Sequence, residues 1–307
     1  MSTLIKAPPA TPAPAPDGLR PTRRRGPDTT HLLFLLPTLI AFTLCIVLPA
    51  IMGVFFSFTN SVGYGDWDFV GLANYRLMFT DPAILTSFGF TLGFSAVTVV
   101  VTNVLAFLLA VGLTSQIRFR VPMRAIFVIP MVVSPIIIAF VFQFLFAKSL
   151  PAAARSLGLG PLQESILADP DLAWISIVVV TAWQAIPQAL LIFIAGLLAI
   201  PRDLYEASAL DGAGPWKQMR MITIPLMAGY ILINVVITFK NFLNAYDIIV
   251  GLTDGGPGTA TRSVAMTIFS GFETGDYAYQ MATATMFFLI TLAIALVQLR
   301  FMRGKEQ

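Results

Sequence analysis

Residues 198–216 read LAIPRDLYEASALDGAGPW, and residues 222–226 read ITIPL. This stretch is the longest polar-containing interruption between apolar runs in the second half of the chain. Pro201 is placed to open a helix, because the first helical position has an N–H without a partner and a proline there loses nothing. Asp203 and Glu206 follow in the first turns, where the positive end of the helix dipole favours carboxylates. The sequence therefore predicts a short helix that begins at Pro201.

Glycines and prolines divide the rest of the stretch. Gly212 and Gly214 end the first helix, Pro215 can begin a second one, and Pro225 marks the entry to the next apolar run. Residues 199–225 are therefore predicted to form a helix-turn-helix on the membrane surface. The plainer alternative is an ordinary amphipathic loop with the same punctuation.

The composition around this stretch is that of a protein embedded in a membrane. Of 307 residues, 57% are hydrophobic and only 11% are charged, and the mean hydropathy is +0.81, which is too apolar for one soluble core. Windows of about 20 apolar residues, the length that crosses a bilayer as a helix, predict six transmembrane helices. These spans are 32–58, 85–113, 123–146, 172–198, 226–250 and 279–301. The sequence thus predicts an all-α polytopic membrane protein whose transmembrane domain covers 31–303.

The distribution of Lys and Arg orients these spans, because cytoplasmic loops are enriched in positive charge. With the N-terminus inside, 14 of the 19 Lys and Arg residues face the cytoplasm, 4 face outside, and Lys240 lies in a span. Both termini and the 199–225 loop are then cytoplasmic. The net charge of +3 therefore reflects topology, and no Lys/Arg stripe with interleaved aromatic residues indicates a nucleic-acid partner.

The ends of the chain are predicted to be tails. Residues 1–30 are rich in Ala and Pro and cannot bury enough apolar surface to fold alone, so they are expected to be disordered in the cytoplasm. The arginines at 23–25 are expected to hold the end of the first helix on the cytoplasmic side, with contact to anionic lipid as a secondary role. Residues 304–307 form a second cytoplasmic tail. Cys45 and His31 are the only residues of their types, so neither a disulfide nor a metal cluster is expected.

The fifth predicted span is unusually polar. Lys240, Asn244 and Asp247 fall at i, i+4 and i+7, which places them on one face of a continuous helix. A charge inside a bilayer is costly unless it is paired or hydrated, so this face, with Asn241 and Tyr246, is predicted to line a hydrated cavity. Two alternatives stay open: Lys240 and Asp247 form a structural pair, or the helix ends early and Asp247 lies at the water interface. Amides that bond hydroxyls, beside aromatic rings that cover the face of a sugar, suit a polyhydroxylated solute.

Three other spans carry polar residues or prolines. Gln184 and Gln188 lie one turn apart on the fourth span and must point away from lipid, toward either the solute or a neighbouring helix. Pro130, Pro135 and Pro187 are expected to kink the third and fourth spans around a central cavity. The second span carries small polar residues on one face, as is typical of helix packing, and a role in the solute pathway is the alternative. They are Thr91, Ser95, Thr98 and Thr102.

The 199–225 loop resembles the EAA loop of ABC importer permeases, whose pattern is Glu-Ala-Ala, Asp-Gly-Ala and, after a short helix, Ile-x-x-Pro. The matching segments are Glu206-Ala207-Ser208, Asp211-Gly212-Ala213 and Ile222-Thr223-Ile224-Pro225. Ser208 departs from the second Ala of the pattern, although both residues are small enough for close packing on a partner. The resemblance implies that the loop docks into a groove on a separate ATPase subunit, with Glu206 as the charged contact and Gly212 at the sharp turn.

Two further segments narrow the resemblance to the carbohydrate uptake class. Residues 69–75 read FVGLANY, similar to the Phe-x-Gly-Leu-x-Asn-Tyr segment at this place in carbohydrate-type permeases, and the expected role is a surface helix that caps the bundle. Tyr246-Asp247, followed by LTDGGPGTAT at 252–261, resembles the tight loop of maltose-type and glycerol-phosphate-type permeases. The external segment 148–160 lacks the Gly-x-x-Asn expected there, so the outer gate or receptor contact is expected to differ.

The resemblance as a whole, from His31 to Arg303, implies the permease subunit of a type I ABC importer for sugar in the bacterial plasma (inner) membrane. Its expected partners are a second similar permease, two ATPase subunits that bind ATP and Mg²⁺, and a periplasmic or extracellular solute-binding protein. ATP binding would move the 199–225 loop as a lever and turn the cavity outward. The chain holds no Gly-x-x-x-x-Gly-Lys-Ser/Thr loop, so it is expected to bind no ATP or other cofactor and to catalyse nothing itself.

Three alternatives remain. An organic phosphate such as glycerol phosphate would want cationic groups in the cavity, where only Lys240 is available, so a neutral sugar is favoured. A secondary transporter would need internal repeats or acidic ion sites in mid-membrane, which the spans lack apart from Asp247. A membrane-embedded enzyme would need clustered catalytic groups, and the sequence shows none.

Overall fold

The computed structural model describes residues 29–115 and 120–303. Residues 1–28 of the predicted N-terminal tail and the predicted tail 304–307 lie outside this part. The chain divides into two units, Met1–Ala50 and Ile51–Gln307. In the first unit, helix α1 (Thr29–Phe42) continues through one π turn into the start of α2 (Leu48–Phe56). None of the side chains described between residues 33 and 50 is buried within the chain.

The regular secondary structure in the described part of the second unit is helical, apart from an isolated bridge between Thr59 and Phe69. Four predicted spans are confirmed as long apolar helices, which are Leu33–Phe56, Pro82–Thr114, Pro170–Ala199 and Tyr277–Arg300. The helices after α2 are α3 (Ala73–Thr80), α4 (Pro82–Thr114), α5 (Arg120–Val132), α6 (Pro135–Phe144), α7 (Leu150–Leu157), α8 (Pro170–Ala199), α9 (Arg202–Leu210), α10 (Pro215–Gln218), α11 (Ile224–Leu226), α12 (Ala228–Leu243), α13 (Asp247–Thr253), α14 (Val264–Glu273) and α15 (Tyr277–Arg303).

The third predicted span, 123–146, is wrong as a single helix. α5 ends at Val132 and α6 begins at Pro135, with non-helical backbone at Ser134, where ψ is 135°. The break has a local cause, because the ring of a proline disfavours the helical conformation in the residue before it. The long apolar helix of this region is instead Pro135–Leu157. The segment 148–160, which the sequence predicts to be external, is therefore helical as far as Leu157.

The fifth predicted span, 226–250, is also broken. The helical segment Pro215–Leu226 meets α12 at an angle of 64°. At the other end, α12 stops at Leu243 and α13 starts at Asp247, after three residues that belong to neither helix. Up to six spans are present if the bent pair counts as one, so the fold class is confirmed while two of the predicted helices are not continuous.

Helices α4, α8 and α12 form the centre of the second unit, and α4 and α8 share its most extensive helix contact. The predicted polar face of the second span is buried, which confirms its packing role; its members are Thr91, Ser95, Thr98 and Thr102. The Asn103 side-chain amide donates to Thr238 Oγ1 at 3.0 Å, and that of Asn234 donates to the Ala189 carbonyl at 3.1 Å. These bonds tie α12 to α4 and α8 in a region where a polar group without a partner is costly.

The segment 69–75 caps the end of α2. The Asn74 amide donates to the carbonyls of Ser57 and Thr59 at 2.8 Å each, and the Tyr75 hydroxyl lies 2.7 Å from Ser57 Oγ. Carbonyls at the end of a helix have no partner within that helix, so a side chain that donates to them completes the helix. These bonds hold the start of α3 at the end of α2, and the role of the segment as a surface helix that caps the bundle stays a prediction.

The predicted tight loop after the fifth span is also confirmed. Asp254 and Gly255 take positive φ angles of 48° and 80°, and both turn the chain away from α13. The hydroxyls of Thr253 and Thr261 lie 2.8 Å apart, and Thr261 is fully buried. The loop is therefore closed by its own hydrogen bonds.

Candidate translocation and coupling sites

A break between α12 and α13 determines where the predicted pathway residues lie. Asn244 ends α12 with φ −95° and ψ 16°, and its side-chain amide donates to the Lys240 carbonyl at 2.9 Å. Tyr246 has φ −132° and ψ −61°, and the helical conformation resumes only at Asp247. The prediction that Lys240, Asn244 and Asp247 share one helical face is therefore wrong, because i, i+4 and i+7 lie together only on an uninterrupted helix. The alternative of an early helix end is confirmed.

The break nevertheless brings most of the predicted residues into one cavity of about 330 Å³. Asn241, Asn244, Tyr246 and Asp247 line it from one side, and Gln184 and Gln188 of α8 line it from another. The α5–α6 break also reaches this cavity. Met131, Val133 and Pro135 are its lining residues. The remaining residues of the lining are Thr181, Ala185, Phe242, Ala245 and Ile248. Both helix breaks thus meet at the same cavity.

The two glutamines of α8 have different roles. Gln184 Nε2 donates to the Val133 carbonyl at 3.2 Å, so this side chain provides a partner for a backbone group that the α5–α6 break leaves free. Gln188 is exposed and has no side-chain hydrogen bond within the described part of the chain. Gln184 therefore bonds to a neighbouring segment while it lines the cavity, and the predicted contact of either glutamine with a solute stays a prediction.

Lys240 does not belong to this cavity. Its side chain is exposed, and it is not one of the lining residues. No ion pair joins it to Asp247, although both residues lie in the described part of the chain, so the structural-pair alternative is wrong. The sequence analysis expected Pro130 and Pro135 to kink the third span around a cavity, but it did not predict the full break before Pro135 or name Met131 and Val133 as lining residues.

The coupling loop is two short helices joined by a tight turn, as predicted. Pro201 is the residue before the first helix rather than its first residue, and Asp203 lies in the first turn of α9. The Ala213 N–H donates to the Ser208 carbonyl at 2.9 Å, and the Gly212 N–H donates to the Ala209 carbonyl at 3.0 Å. This pair of bonds is a Schellman motif, which needs a left-handed residue after the helix. Gly212 has φ +78° and supplies it.

A polar brace holds the two short helices together. Gln218 Nε2 donates to Ser208 Oγ at 2.9 Å and to the Tyr205 carbonyl at 3.1 Å. The Tyr205 hydroxyl lies 2.9 Å from Thr223 Oγ1. Ser208, the one departure from the EAA pattern, therefore bonds inside the loop. Its hydroxyl has a role that the sequence comparison of small residues did not predict.

The opposite face of the loop is exposed. Glu206, Ala207 and Asp211 are solvent-accessible, and the Glu206 carboxylate has no side-chain hydrogen bond or ion pair with the described residues. Leu210 is 91% exposed and Trp216 is 78% exposed. The sequence analysis did not single out these two apolar side chains, although large apolar residues in a polar loop are a signal of an interaction surface.

The family of binding-protein-dependent transport system inner membrane components matches residues 102–304 of this sequence. The chain belongs to this family. The permease is 31% identical over 277 residues to the probable starch degradation products transport system permease protein AmyD of Thermoanaerobacterium thermosulfurigenes, and the match covers 90% of this chain and 94% of the relative. It is 29% identical over 276 residues to the sn-glycerol-3-phosphate transport system permease protein UgpA of Agrobacterium fabrum, with 89% and 94% covered.

The permease also resembles a solved structure. It matches a chain of a bacterial ABC transporter involved in the import of the acidic polysaccharide alginate with a TM-score of 0.78, over 90% of this chain and 96% of that one. The sequence identity is 20%, so this likeness shows the fold alone. The predicted class of ABC importer permease is confirmed. The permease is thus a multi-pass transport component rather than a catalyst, and the secondary-transporter alternative is wrong.

Proposed function

We propose that this permease carries a neutral sugar and forms half of the path through an ATP-driven importer. The cavity at the α12–α13 break carries the proposal. The amides of Asn241 and Gln188 and the hydroxyl of Tyr246 both donate and accept hydrogen bonds, as sugar hydroxyls do. The half-buried ring of Tyr246 offers apolar surface for the face of a sugar. A volume of about 330 Å³ lies at the low end of the range of about 300–1,000 Å³ that is usual for small-molecule sites.

An organic phosphate is the second candidate, because one relative is named as a glycerol-3-phosphate permease. A phosphate group in a cavity is usually held by Arg or Lys. The lining of this cavity contains neither. The neutral solute is therefore the preferred candidate.

The exposed face of the coupling loop supports docking on a separate ATPase. Leu210 and Trp216 would be buried in the groove, and Glu206 would form the charged contact at its edge. Two ATPase subunits would bind ATP and Mg²⁺, and a second permease would complete the path. A periplasmic or extracellular binding protein would deliver the solute. Closure of the ATPases would push on the loop, whose Gln218 brace transmits the movement between its two helices, and would open the cavity outward.

Intact-complex mass spectrometry in mild detergent tests this assembly on material from the native membrane. We expect two ATPase copies, one different permease and this chain. The accompanying binding protein is then screened by thermal shift against neutral sugars and against glycerol 3-phosphate. A chain recovered alone or as a homodimer, at every salt concentration tried, would refute the docking proposal. Stabilisation of the binding protein by glycerol 3-phosphate and by none of the sugars would refute the proposal that the solute is a neutral sugar.

Glu206→Ala tests the docking face directly. Glu206 makes no side-chain contact that the fold of this chain depends on, so the variant is expected to insert normally but to lose solute-stimulated ATP hydrolysis and uptake, or to lose the ATPase on purification. Glu273→Ala removes an exposed acid at the end of α14 and is the matched control, with full activity expected. Normal coupled uptake in the Glu206 variant would contradict the role assigned to this residue.

A further inference from the structure

The Asp247 carboxylate is the one feature of the cavity that a neutral sugar does not require. Asp247 is exposed, lines the cavity and forms no ion pair with the described residues. The other polar side chains of the lining are amides and hydroxyls. They are Thr181, Gln184, Gln188, Asn241, Asn244 and Tyr246. The only formal charge in the lining is therefore a negative one.

We infer that Asp247 sets the charge selectivity of this permease by repelling anionic solutes from the cavity. The inference rests on the proposed transport role and names the solute class more closely: uncharged polyhydroxylated compounds enter, while phosphate esters and uronates are disfavoured. The same fold occurs in a transporter that imports an acidic polysaccharide, so the fold itself does not fix the charge of the solute. The lining residues must do so.

The size of the effect follows from Coulomb's law. In a water-filled cavity, one unit charge at about 4–8 Å changes the local concentration of a monovalent ion by roughly two- to sixfold. The ratio of the local concentration of a monovalent cation to that of a monovalent anion changes by the square of this factor, which is about fivefold or more. Such a ratio can be measured without knowing the natural solute.

The experiment uses a cysteine reporter in the assembled transporter. In a Cys45→Ser background, Gln188→Cys places a single thiol in the cavity. Its reaction rates are measured at low ionic strength with a cationic (trimethylammonium-ethyl) and an anionic (sulfonatoethyl) methanethiosulfonate. We expect the cation-to-anion rate ratio to fall about fivefold or more when Asp247→Asn is added. An unchanged ratio would overturn the inference.

Controls separate charge from structure. The neutral hydroxyethyl methanethiosulfonate is expected to react at the same rate with and without Asp247→Asn, which shows that the cavity keeps its shape. Lys240→Gln changes the formal charge by the same amount outside the lining, and should alter the ratio less than Asp247→Asn does. A reporter at Ser156→Cys, on the exposed surface of α7, should not respond to Asp247→Asn. An equal response there would overturn the inference.

A second measurement needs no change at Asp247. Raising the ionic strength screens the field of a charge in a hydrated site, so the ratio at Gln188→Cys should fall toward the value at Ser156→Cys. Salt independence would overturn the inference even if Asp247→Asn fails to assemble. The cation-to-anion rate ratio is measured without any solute, so this test is independent of the proposed function. If the ratio is large but the transporter does not carry sugar, the proposed solute is refuted and the charge selectivity stands.

Discussion

At the scale of single residues, the coupling loop depends on a backbone conformation that few side chains tolerate. Gly212 ends α9 with φ +78°, and the two Schellman hydrogen bonds form only with the chain in that conformation. Ser208 and Gln218 then lock the second helix against the first. These bonds join the two short helices into one unit, as the proposed docking on an ATPase subunit requires.

Gly212→Ala is expected to weaken coupled uptake, because a left-handed conformation costs a non-glycine residue about 1–2 kcal/mol. Gly214→Ala is the matched control. Neither glycine has an atom within 4 Å of the position of an added Cβ, but Gly214 has φ −72°, which alanine adopts freely. Uptake and solute-stimulated ATP hydrolysis are measured in membrane vesicles. Equal activities in the two variants would show that the turn conformation is unimportant.

Asn241→Ala is expected to lower the maximal uptake rate by about two- to tenfold, the value of one lost hydrogen bond of about 0.5–1.5 kcal/mol. Assembly with the ATPase should be unchanged, because Asn241 makes no side-chain hydrogen bond within the described residues. Lys240→Ala alters the neighbouring residue outside the cavity and should leave the rate unchanged. The opposite result, with only the Lys240 variant impaired, would contradict the assignment of the cavity.

At the scale of helices, the breaks place polar backbone where a solute can approach. Each break leaves carbonyls without helical partners, and nearby side chains donate hydrogen bonds to them. Gln184 donates to the Val133 carbonyl, and Asn244 donates to the Lys240 carbonyl. Irregular backbone at membrane depth persists only where it is buried in protein or lines a hydrated cavity. The breaks in α5–α6 and α12–α13 both line the same cavity, which is the second of these two settings.

α8 packs closely against the start of α12. A Cβ on Gly196 would lie 2.7 Å from Tyr230 Cγ and 2.8 Å from Met227 Sδ. Gly196→Ala is therefore expected to destabilise the permease by about 1–3 kcal/mol through overpacking. Gly229→Ala on α12 meets nothing within 4 Å and should be neutral or slightly stabilising, because alanine favours helix over glycine. Thermal unfolding of the purified transporter compares the two. A Gly196 variant as stable as the Gly229 variant would show that the interface can open without cost.

At the scale of the whole molecule, the charge distribution predicts the orientation in the membrane. Ser115, at the end of α4, and Ser156, in α7, are both exposed. In a Cys45→Ser background, Ser156→Cys is expected to react with a membrane-impermeant maleimide added to intact cells, and Ser115→Cys only after lysis. Both substitutions replace one small side chain by another, so insertion should be unaffected. The reverse labelling pattern would show that the positive charges do not face the cytoplasm.

The sequence by itself determined the membrane class, four of the spans and the shape of the coupling loop. These features follow from local chemistry: long apolar runs cross a bilayer, and Pro201, Gly212 and Pro215 dictate where short helices begin and end. Sequence reasoning also picked out most of the polar residues that line the cavity, but not Met131, Val133, Thr181 or a few apolar neighbours. It assigned them to a wrong geometry, because helical periodicity assumes an uninterrupted helix.

Only the tertiary structure decided how these residues are grouped. A helix breaks where another part of the protein can satisfy the freed backbone groups, and such partners come from segments distant in sequence, as Gln184 does for Val133. The same packing excluded Lys240 from the cavity and left Asp247 within it. The charge of the cavity lining therefore depends on the fold. One turn of helix, or a break of three residues, changes which side chains face the cavity.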